Sequence, residues 1–116
     1  MVKRFEDLIA WQKGQDLCVE VYNNFRNSKD YSFRDQICRA SVSICNNIAE
    51  GFDRSSNADF VRFLYMATGS TSEVRSMLYL AKRLDYINPD KAQTMIDGTN
   101  EVSKIIYGLI KSLTNN

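Results

Sequence analysis

The residues best suited to chemistry lie in one polar stretch, CNNIAEGFDRSSNADF at 45–60. It carries the carboxylates of Glu50, Asp53 and Asp59, and Glu73 follows in the next apolar segment. Two carboxylates can share acid–base work when their environments split their pKa values. The sequence marks no such pair, lacks histidine, and contains no nucleophile elbow, phosphate loop or metal-binding motif. We therefore expect no catalytic, cofactor-binding or metal-binding residues, and a protein that is not an enzyme.

Three cysteines are the other reactive side chains. Cys38 and Cys45 lie seven residues apart on one predicted helix, about 10 Å from each other, which is too far for a disulfide. Cys18 lies on another predicted helix. We expect free thiols that pack as small hydrophobic groups in a reducing compartment. The start of the chain lacks the apolar run of a signal peptide, and no run of about 18 apolar residues follows, so we expect a cytoplasmic protein without a membrane segment.

The polar stretch is also where one predicted helix ends and the next begins. Gly51 has the position of a helix C′ residue, where a left-handed backbone is common. Asn57 is a good N-cap residue for the following helix. Asn46 and Asn47 lie in the last turns of the first helix, where they are expected to bond carbonyls or to reach a neighbouring chain. We interpret the stretch as the end of one helix, a turn and the start of the next helix, with a ligand site as the alternative.

Glu50 is predicted to need a cationic partner. A carboxylate near the C-terminus of a helix faces the negative end of the helix dipole, which is unfavourable. Arg54, Arg39 and Arg62 are the candidate partners. Whether such a pair forms within one chain, between two chains or with a ligand stays open at the level of the sequence.

The whole chain of 116 residues has the apolar spacing of helices that pack side by side. Four helices are predicted: about 7–25, from 32 or 33 to 51, from just after Asn57 to about 85, and from Pro89 onward behind an Asn88 N-cap. Short connections between amphipathic helices are typical of an antiparallel up-down-up-down bundle. We therefore expect one all-α domain over 1–116.

The second and third helices carry few charges. Between Gln36 and Ala49 the only charged residue is Arg39, and between Phe60 and Ala81 only three occur. Because charges are depleted and tyrosine and methionine enriched at protein interfaces, we expect another subunit to cover these two helices. The alternative is a wide core with a neutral, hydroxyl-rich surface. The third helix presents these residues away from its predicted core side: Val61, Tyr65, Met66, Thr68, Ser72, Tyr79 and Leu80.

Four of the five glycines, Gly14, Gly69, Gly98 and Gly108, lie inside predicted helices. Each costs about 1 kcal/mol relative to alanine. Close approach of a neighbouring helix is the simplest compensation, and a local kink is the alternative.

A local basic patch is the main sign of a nucleic-acid partner. Arg62, Arg75, Lys82 and Arg83 outnumber the acidic residues of the third helix. The net charge of the chain is only +1, so no strongly basic footprint covers the domain. Ordinary solvated charge is the alternative interpretation. A ring of subunits would repeat even a weak patch and so raise its avidity for RNA or DNA.

The segment QICRASVSICNNIAEGFDRSSNADFVRFLYMATGSTSEV resembles the signature of the 23S rRNA-intervening-sequence proteins. The matching positions include the run from Asn47 to Gly51, then Arg54, the Gly69-Ser70 pair and Glu73, and FEDLIAWQKGQDL and LAKRLDYI are similar too. The resemblance implies a four-helix bundle that assembles as a ring, typically a homopentamer. Related accessory proteins of diversity-generating retroelements bind nucleic acid through a basic ring surface.

These observations favour a non-enzymatic, self-assembling bundle, with RNA or DNA binding as the alternative function. The expected partner is therefore a further copy of the chain, and the expected nucleic-acid contacts are the four basic residues of the third helix. The residues expected to serve structure and assembly are Arg39, Asn47, Glu50, Gly51, Arg54, Gly69, Ser70 and Glu73.

Overall fold

The computed structural model describes residues 2–115 and is all-helical, without a strand in that range. A short 3-10 helix at Phe5–Asp7 precedes four long helices, which are α1 Ile9–Phe25, α2 Tyr31–Phe52, α3 Asn57–Arg83 and α4 Pro89–Thr114. Each long helix packs against the next one along the chain, and α4 packs against α1. The molecule is elongated, at 46 × 21 × 20 Å.

The predicted apolar seams form the core. Ile37, Ile44 and Ile48 of α2 and Leu64 and Leu78 of α3 are fully buried. The apolar rows of α1, α3 and α4 are buried as well, except that Leu109 and Leu113 near the end of α4 are only partly buried. Burial of these rows, rather than intrinsic helix propensity, supplies most of the stability of helices in a folded protein.

The start of α3 differs from the prediction. Ser56, not Asn57, is the N-cap: its backbone is extended, and its hydroxyl accepts a hydrogen bond of 3.2 Å from the amide of Asp59. Asn57 is the first helical residue. At the start of α4, the side chain of Asn88 accepts bonds from the amides of the first turn and Pro89 is the first helical residue, which confirms the predicted cap.

The prediction for Gly51 is wrong in its mechanism. Gly51 lies inside α2 and its φ angle is not positive, so no left-handed cap forms there. It is instead a point of close approach between helices, because a Cβ at this position would lie 2.6 Å from Cβ of Phe63. The left-handed residue is Asp85, with φ of 58°, where the amide of Tyr86 closes the end of α3 by bonding the carbonyl of Ala81.

The helical glycines fall into different classes. A Cβ on Gly14 would lie 3.1 Å from Sγ of Cys45, which fits the expected close approach. At Gly69 and Gly108 a Cβ would meet nothing within 4 Å, and at Gly98 it would be at an ordinary contact distance of 3.8 Å from a methyl group of Leu17. Within the single chain, close approach therefore explains only Gly14 among these four.

Candidate assembly surface

The exposed side of α3 carries large apolar side chains. Tyr65, Met66, Tyr79 and Leu80 are 53%, 41%, 52% and 47% exposed. Between these two pairs, Gly69, Ser72 and Ser76 are exposed on the side that faces away from the core, whereas Ala67, Thr68 and Thr71 are buried. We call this surface the α3 face and define it by these residues: Tyr65, Met66, Gly69, Ser72, Ser76, Tyr79 and Leu80.

Tyr107 of α4 extends the α3 face across the seam between the two helices. Its ring lies 6.4 Å from that of Tyr65, at an interplanar angle of 70°, and its side chain is 52% exposed. Scattered single apolar residues are normal on a protein surface, so the contact of Tyr65 with Tyr107 is what makes this end of the α3 face a candidate interaction site. Tyr107 was not predictable from the sequence because α4 carries many charges, and only the packing of the helices brings this tyrosine beside α3.

Gly69 lies in the middle of the α3 face. No atom lies within 4 Å of where its Cβ would be, so nothing inside the chain requires a glycine. Alanine at an exposed helix position would be more stable by about 1 kcal/mol. The missing side chain leaves a flat strip where another backbone can approach closely. Ser70, its neighbour in the predicted motif, is half-buried.

The corresponding expectation for α2, that another subunit covers it, stays a prediction. The side of α2 that points away from the core exposes Gln36, Arg39, Asn46 and Glu50, which are all polar. The helix has few charges because it packs against both α1 and α3, so that a large share of its surface is inside. The α3 face is one exposed apolar area among several, since Ile9 and Val19 of α1 and Tyr31 at the start of α2 are exposed as well.

Glu73 and Arg39 border the same shallow hollow beside the α3 face. The hollow has a volume of about 170 Å³ and lies between α2 and α3. Gln36 donates a hydrogen bond of 3.3 Å to the carboxylate of Glu73 across these helices. Among residues 2–115, neither Arg39 nor Glu73 forms an ion pair, so both charges remain available to a partner.

The ion pair predicted for Glu50 is absent within residues 2–115. The guanidinium of Arg54 instead lies over the ring of Phe63, at 4.8 Å from its centroid. Arg62 lies over the same ring at 4.8 Å and pairs with Asp59 at 3.6 Å. An aromatic ring attracts a guanidinium through its quadrupole, and here the ring lies on α3, which also carries Arg62, whereas Arg54 lies in the turn before that helix. The exposed carboxylate of Glu50 has no cation within ion-pair distance in that range.

Asn47 takes the first of its two predicted roles. Its side-chain amide donates a hydrogen bond of 2.8 Å to the carbonyl of Ser43, one turn earlier in α2. This bond is local to the helix, and the side chain is half-buried.

The four predicted basic contacts do not form one compact patch. Arg62 is about 30 Å from Arg83 along the helix axis, since 21 residues separate them. Arg75 donates a hydrogen bond of 2.9 Å to the side chain of Asn100, and Arg62 is paired with an acidic residue. Lys82 and Arg83 are exposed in the last turn of α3 and have no ion-pair partner among residues 2–115.

The three thiols are free, as predicted. Burial raises the pKa of Cys45 to about 12 and raises the pKa of Cys38 as well. The hydroxyl of Ser41 lies 3.3 Å from the sulfur of Cys18. Because the thiolate is the reactive form, the two buried cysteines are poor nucleophiles. Among residues 2–115, no cluster of three potential metal-binding side chains occurs.

Comparison with known proteins decides the family. Residues 6–108 match the family described as 23S rRNA-intervening sequence protein. The chain belongs to this family. A similar solved structure is that of a protein of unknown function from the S23 ribosomal protein family of Bacteroides thetaiotaomicron VPI-5482, which is 26% identical, with a TM-score of 0.84 over 89% of this chain and 99% of that one. A search of curated proteins gives no significant match. As for membranes, no helix of this intervening-sequence protein within residues 2–115 is long and apolar enough to span one.

Proposed function

We propose that this protein is a cytoplasmic, non-catalytic scaffold that assembles from identical subunits. In this proposal its helices run up-down-up-down, and five copies form a ring. The α3 face is the observation that carries the proposal, because it combines four exposed apolar side chains with a glycine that the single chain does not need. The number five rests on the resemblance to the intervening-sequence proteins.

The size of the α3 face implies that polar neighbours take part. From Tyr65 to Leu80 the strip is about 22 Å long and one helix wide. A standard interface covers about 800 Å² on each partner, which is more than this strip alone. The interface must therefore extend onto adjoining surface, where Tyr107, Glu73 and Arg39 lie. In this proposal the three residues form the rim of the interface, where Glu73 and Arg39 make ion pairs with charged residues of the next subunit.

A matched pair of glycine substitutions tests the assembly. Gly69→Arg and Gly108→Arg both add a long cation at an exposed helical glycine with open space around it. Only Gly69 lies in the α3 face. By multi-angle light scattering, we expect the wild type and Gly108→Arg to have about five times the monomer mass of 13.3 kDa, and Gly69→Arg to have a lower mass.

Two results would contradict the proposal. One is a monomeric wild type at micromolar concentration, and the other is an unchanged mass for Gly69→Arg. Circular dichroism of each variant first establishes that it is folded. Arg39→Glu is a second probe: we expect it to shift the mass distribution toward smaller species with little change in secondary structure.

Binding of RNA or DNA is a second candidate function. It is favoured by the end of α3, where Lys82 and Arg83 are exposed in the last turn and Tyr79 lies one turn earlier. Cations that contact phosphates and an aromatic ring that stacks on bases are the usual elements of single-strand recognition. A ring would present five copies of Lys82 and Arg83, whereas Tyr79, which belongs to the α3 face, would stack on a base only in a subunit whose α3 face is uncovered.

A gel-shift experiment with structured RNA at two salt concentrations tests the second candidate. Binding through phosphates must weaken steeply with added salt. Lys82→Glu/Arg83→Glu should abolish binding, whereas Lys104→Glu/Lys111→Glu, which changes the net charge equally on α4, should not. Absence of any shift at low ionic strength would reject this function, and equal loss in both double variants would show that only overall charge matters.

A further inference from the structure

A groove runs along the seam between α1 and α4, on a different side of the molecule from the α3 face. These two helices make fewer contacts with each other than any other pair of neighbouring long helices. Leu17, Met95 and Val102 supply the apolar lining, and the volume is about 170 Å³. An engineered protein cavity of roughly 150 Å³ accepts a benzene molecule. The groove therefore has room for one aromatic or branched aliphatic side chain.

Gly98 keeps the groove open. It is a half-buried glycine in the middle of α4, and glycine is the least favourable residue in a helix after proline. A Cβ here would be 3.8 Å from Cδ1 of Leu17, which is an ordinary contact and not a clash. Packing inside the chain therefore does not require glycine, whereas a larger side chain at this position would fill the groove.

The walls of the groove are acidic. Asp16, Glu20 and Glu101 line it together with a single cation, Lys13, which bridges the two helices through a 3.5 Å ion pair with Glu101. Asp16 and Glu20 are one turn apart on α1, a spacing at which like charges repel and destabilise a helix. Two carboxylates therefore remain without a cationic partner among residues 2–115, beside an apolar opening.

From this arrangement we propose that the α1–α4 groove binds a cationic, amphipathic segment of a partner protein. An apolar side chain of the segment would enter the groove, and flanking lysine or arginine residues would meet Asp16 and Glu20. An amphipathic helix laid into an apolar groove is a recurring mode of recognition, and charge complementarity selects its partners. An anionic partner such as nucleic acid would be repelled by the same walls. The inference does not depend on self-assembly, because none of its residues belongs to the α3 face.

The test uses two synthetic helical peptides of about 14 residues, one of leucine and lysine and one of leucine and glutamate. Fluorescence anisotropy of each labelled peptide is measured with the full chain. We expect the lysine peptide to bind with a Kd below about 100 μM, and the Kd to rise with salt. The glutamate peptide should not bind. In an NMR titration, the amides of Gly98 and Val102 should be among the most shifted.

Variants of the chain test whether the lysine peptide binds in the groove or binds to acidic residues in general. Gly98→Leu should weaken binding by at least about tenfold, as the loss of a central anchoring contact does. Gly108→Leu, the matched change elsewhere on the same helix, should leave it unchanged. Asp16→Asn/Glu20→Gln should weaken binding by at least about threefold, and it provides the test if Gly98→Leu does not fold. Equal binding of both peptides, unaltered affinity in Gly98→Leu, or shifts centred on another face would overturn the proposal.

Discussion

The replacement Gly51→Ala is the sharpest test of the packing between α2 and α3. The added Cβ would lie 2.6 Å from Cβ of Phe63, 3.0 Å from Cδ1 of Phe60 and 3.3 Å from the carbonyl oxygen of Phe60. Two carbon atoms pack best at about 3.5–4.0 Å, so the closest contact is about 1 Å too short. A change of rotamer moves neither a Cβ atom nor a carbonyl oxygen. The two helices must therefore move apart.

The expected magnitude follows from two opposing effects. Overpacking of a well-packed core costs about 1–3 kcal/mol, and a contact to atoms that cannot rotate away belongs at the upper end. Replacing glycine by alanine inside a helix restores about 1 kcal/mol. We therefore expect Gly51→Ala to lower the free energy of unfolding by about 2 kcal/mol. Separation of the helices would also weaken the stacking of Arg54 on Phe63 and the edge contact between Phe52 and Phe60.

Urea unfolding followed by circular dichroism measures this effect, with Gly108→Ala as the matched control. Gly108 has open space at the Cβ position, so alanine there should raise the free energy of unfolding by up to about 1 kcal/mol. All variants must be compared at one protein concentration, because the proposed assembly would make the apparent stability depend on concentration. If Gly51→Ala proved as stable as the wild type, the close approach inferred for α2 and α3 would be wrong.

Three further predictions concern the N-cap of α3, the hydrogen bond between Tyr86 and Asp30, and the thiol of Cys45. Ser56→Ala should lower the free energy of unfolding by about 0.5–2 kcal/mol, while Asn57→Ala should change it little, as measured by urea unfolding. Tyr86 donates a 2.7 Å hydrogen bond to Asp30, which lowers the pKa of this carboxyl. The stability lost in Tyr86→Phe should therefore be largest above about pH 4 and should vanish as the pH falls through the lowered pKa. Thermal unfolding measures this loss, and an equal difference between Tyr86→Phe and the wild type at pH 2 would contradict the prediction. Cys45, with its raised pKa, should be the last of the three thiols to be alkylated in the native protein, as read by mass spectrometry, and earlier labelling would disprove its burial.

The helices were predictable because their signal is long and redundant. Each core-facing row repeats over four or more turns, so one ambiguous residue does not change the result. The cap at Asn88 was predictable for a related reason, since Asn88, Pro89 and Asp90 each favour the same helix start. At Ser56 and Asn57 two good capping residues are adjacent, and only the extended backbone of Ser56 decides between them.

The polar stretch was less predictable because its residues have several physically sound partners. A glycine near a helix end suits a left-handed cap or a close approach, and the position of Phe63 on the next helix decides the outcome. Similarly, Arg54 can pair with Glu50 or stack on an aromatic ring. Which of the two contacts forms depends on distances in the folded chain that the sequence does not give. The resulting exposed carboxylate of Glu50 is a natural candidate for a contact between subunits.

The glycines distinguish positions that packing inside the chain explains from positions that it does not explain. Gly14 and Gly51 are explained by atoms of the same chain, because a Cβ would meet a neighbour at 3.1 Å or less. At Gly69 and Gly98 no such neighbour exists, yet the helix bears the cost of glycine in each case. Both lie at the centre of a surface, the α3 face and the α1–α4 groove. Nothing in the structure explains Gly108. Two unexplained glycines at the centres of two different surfaces are consistent with two different partners, a further copy of the chain and a cationic segment.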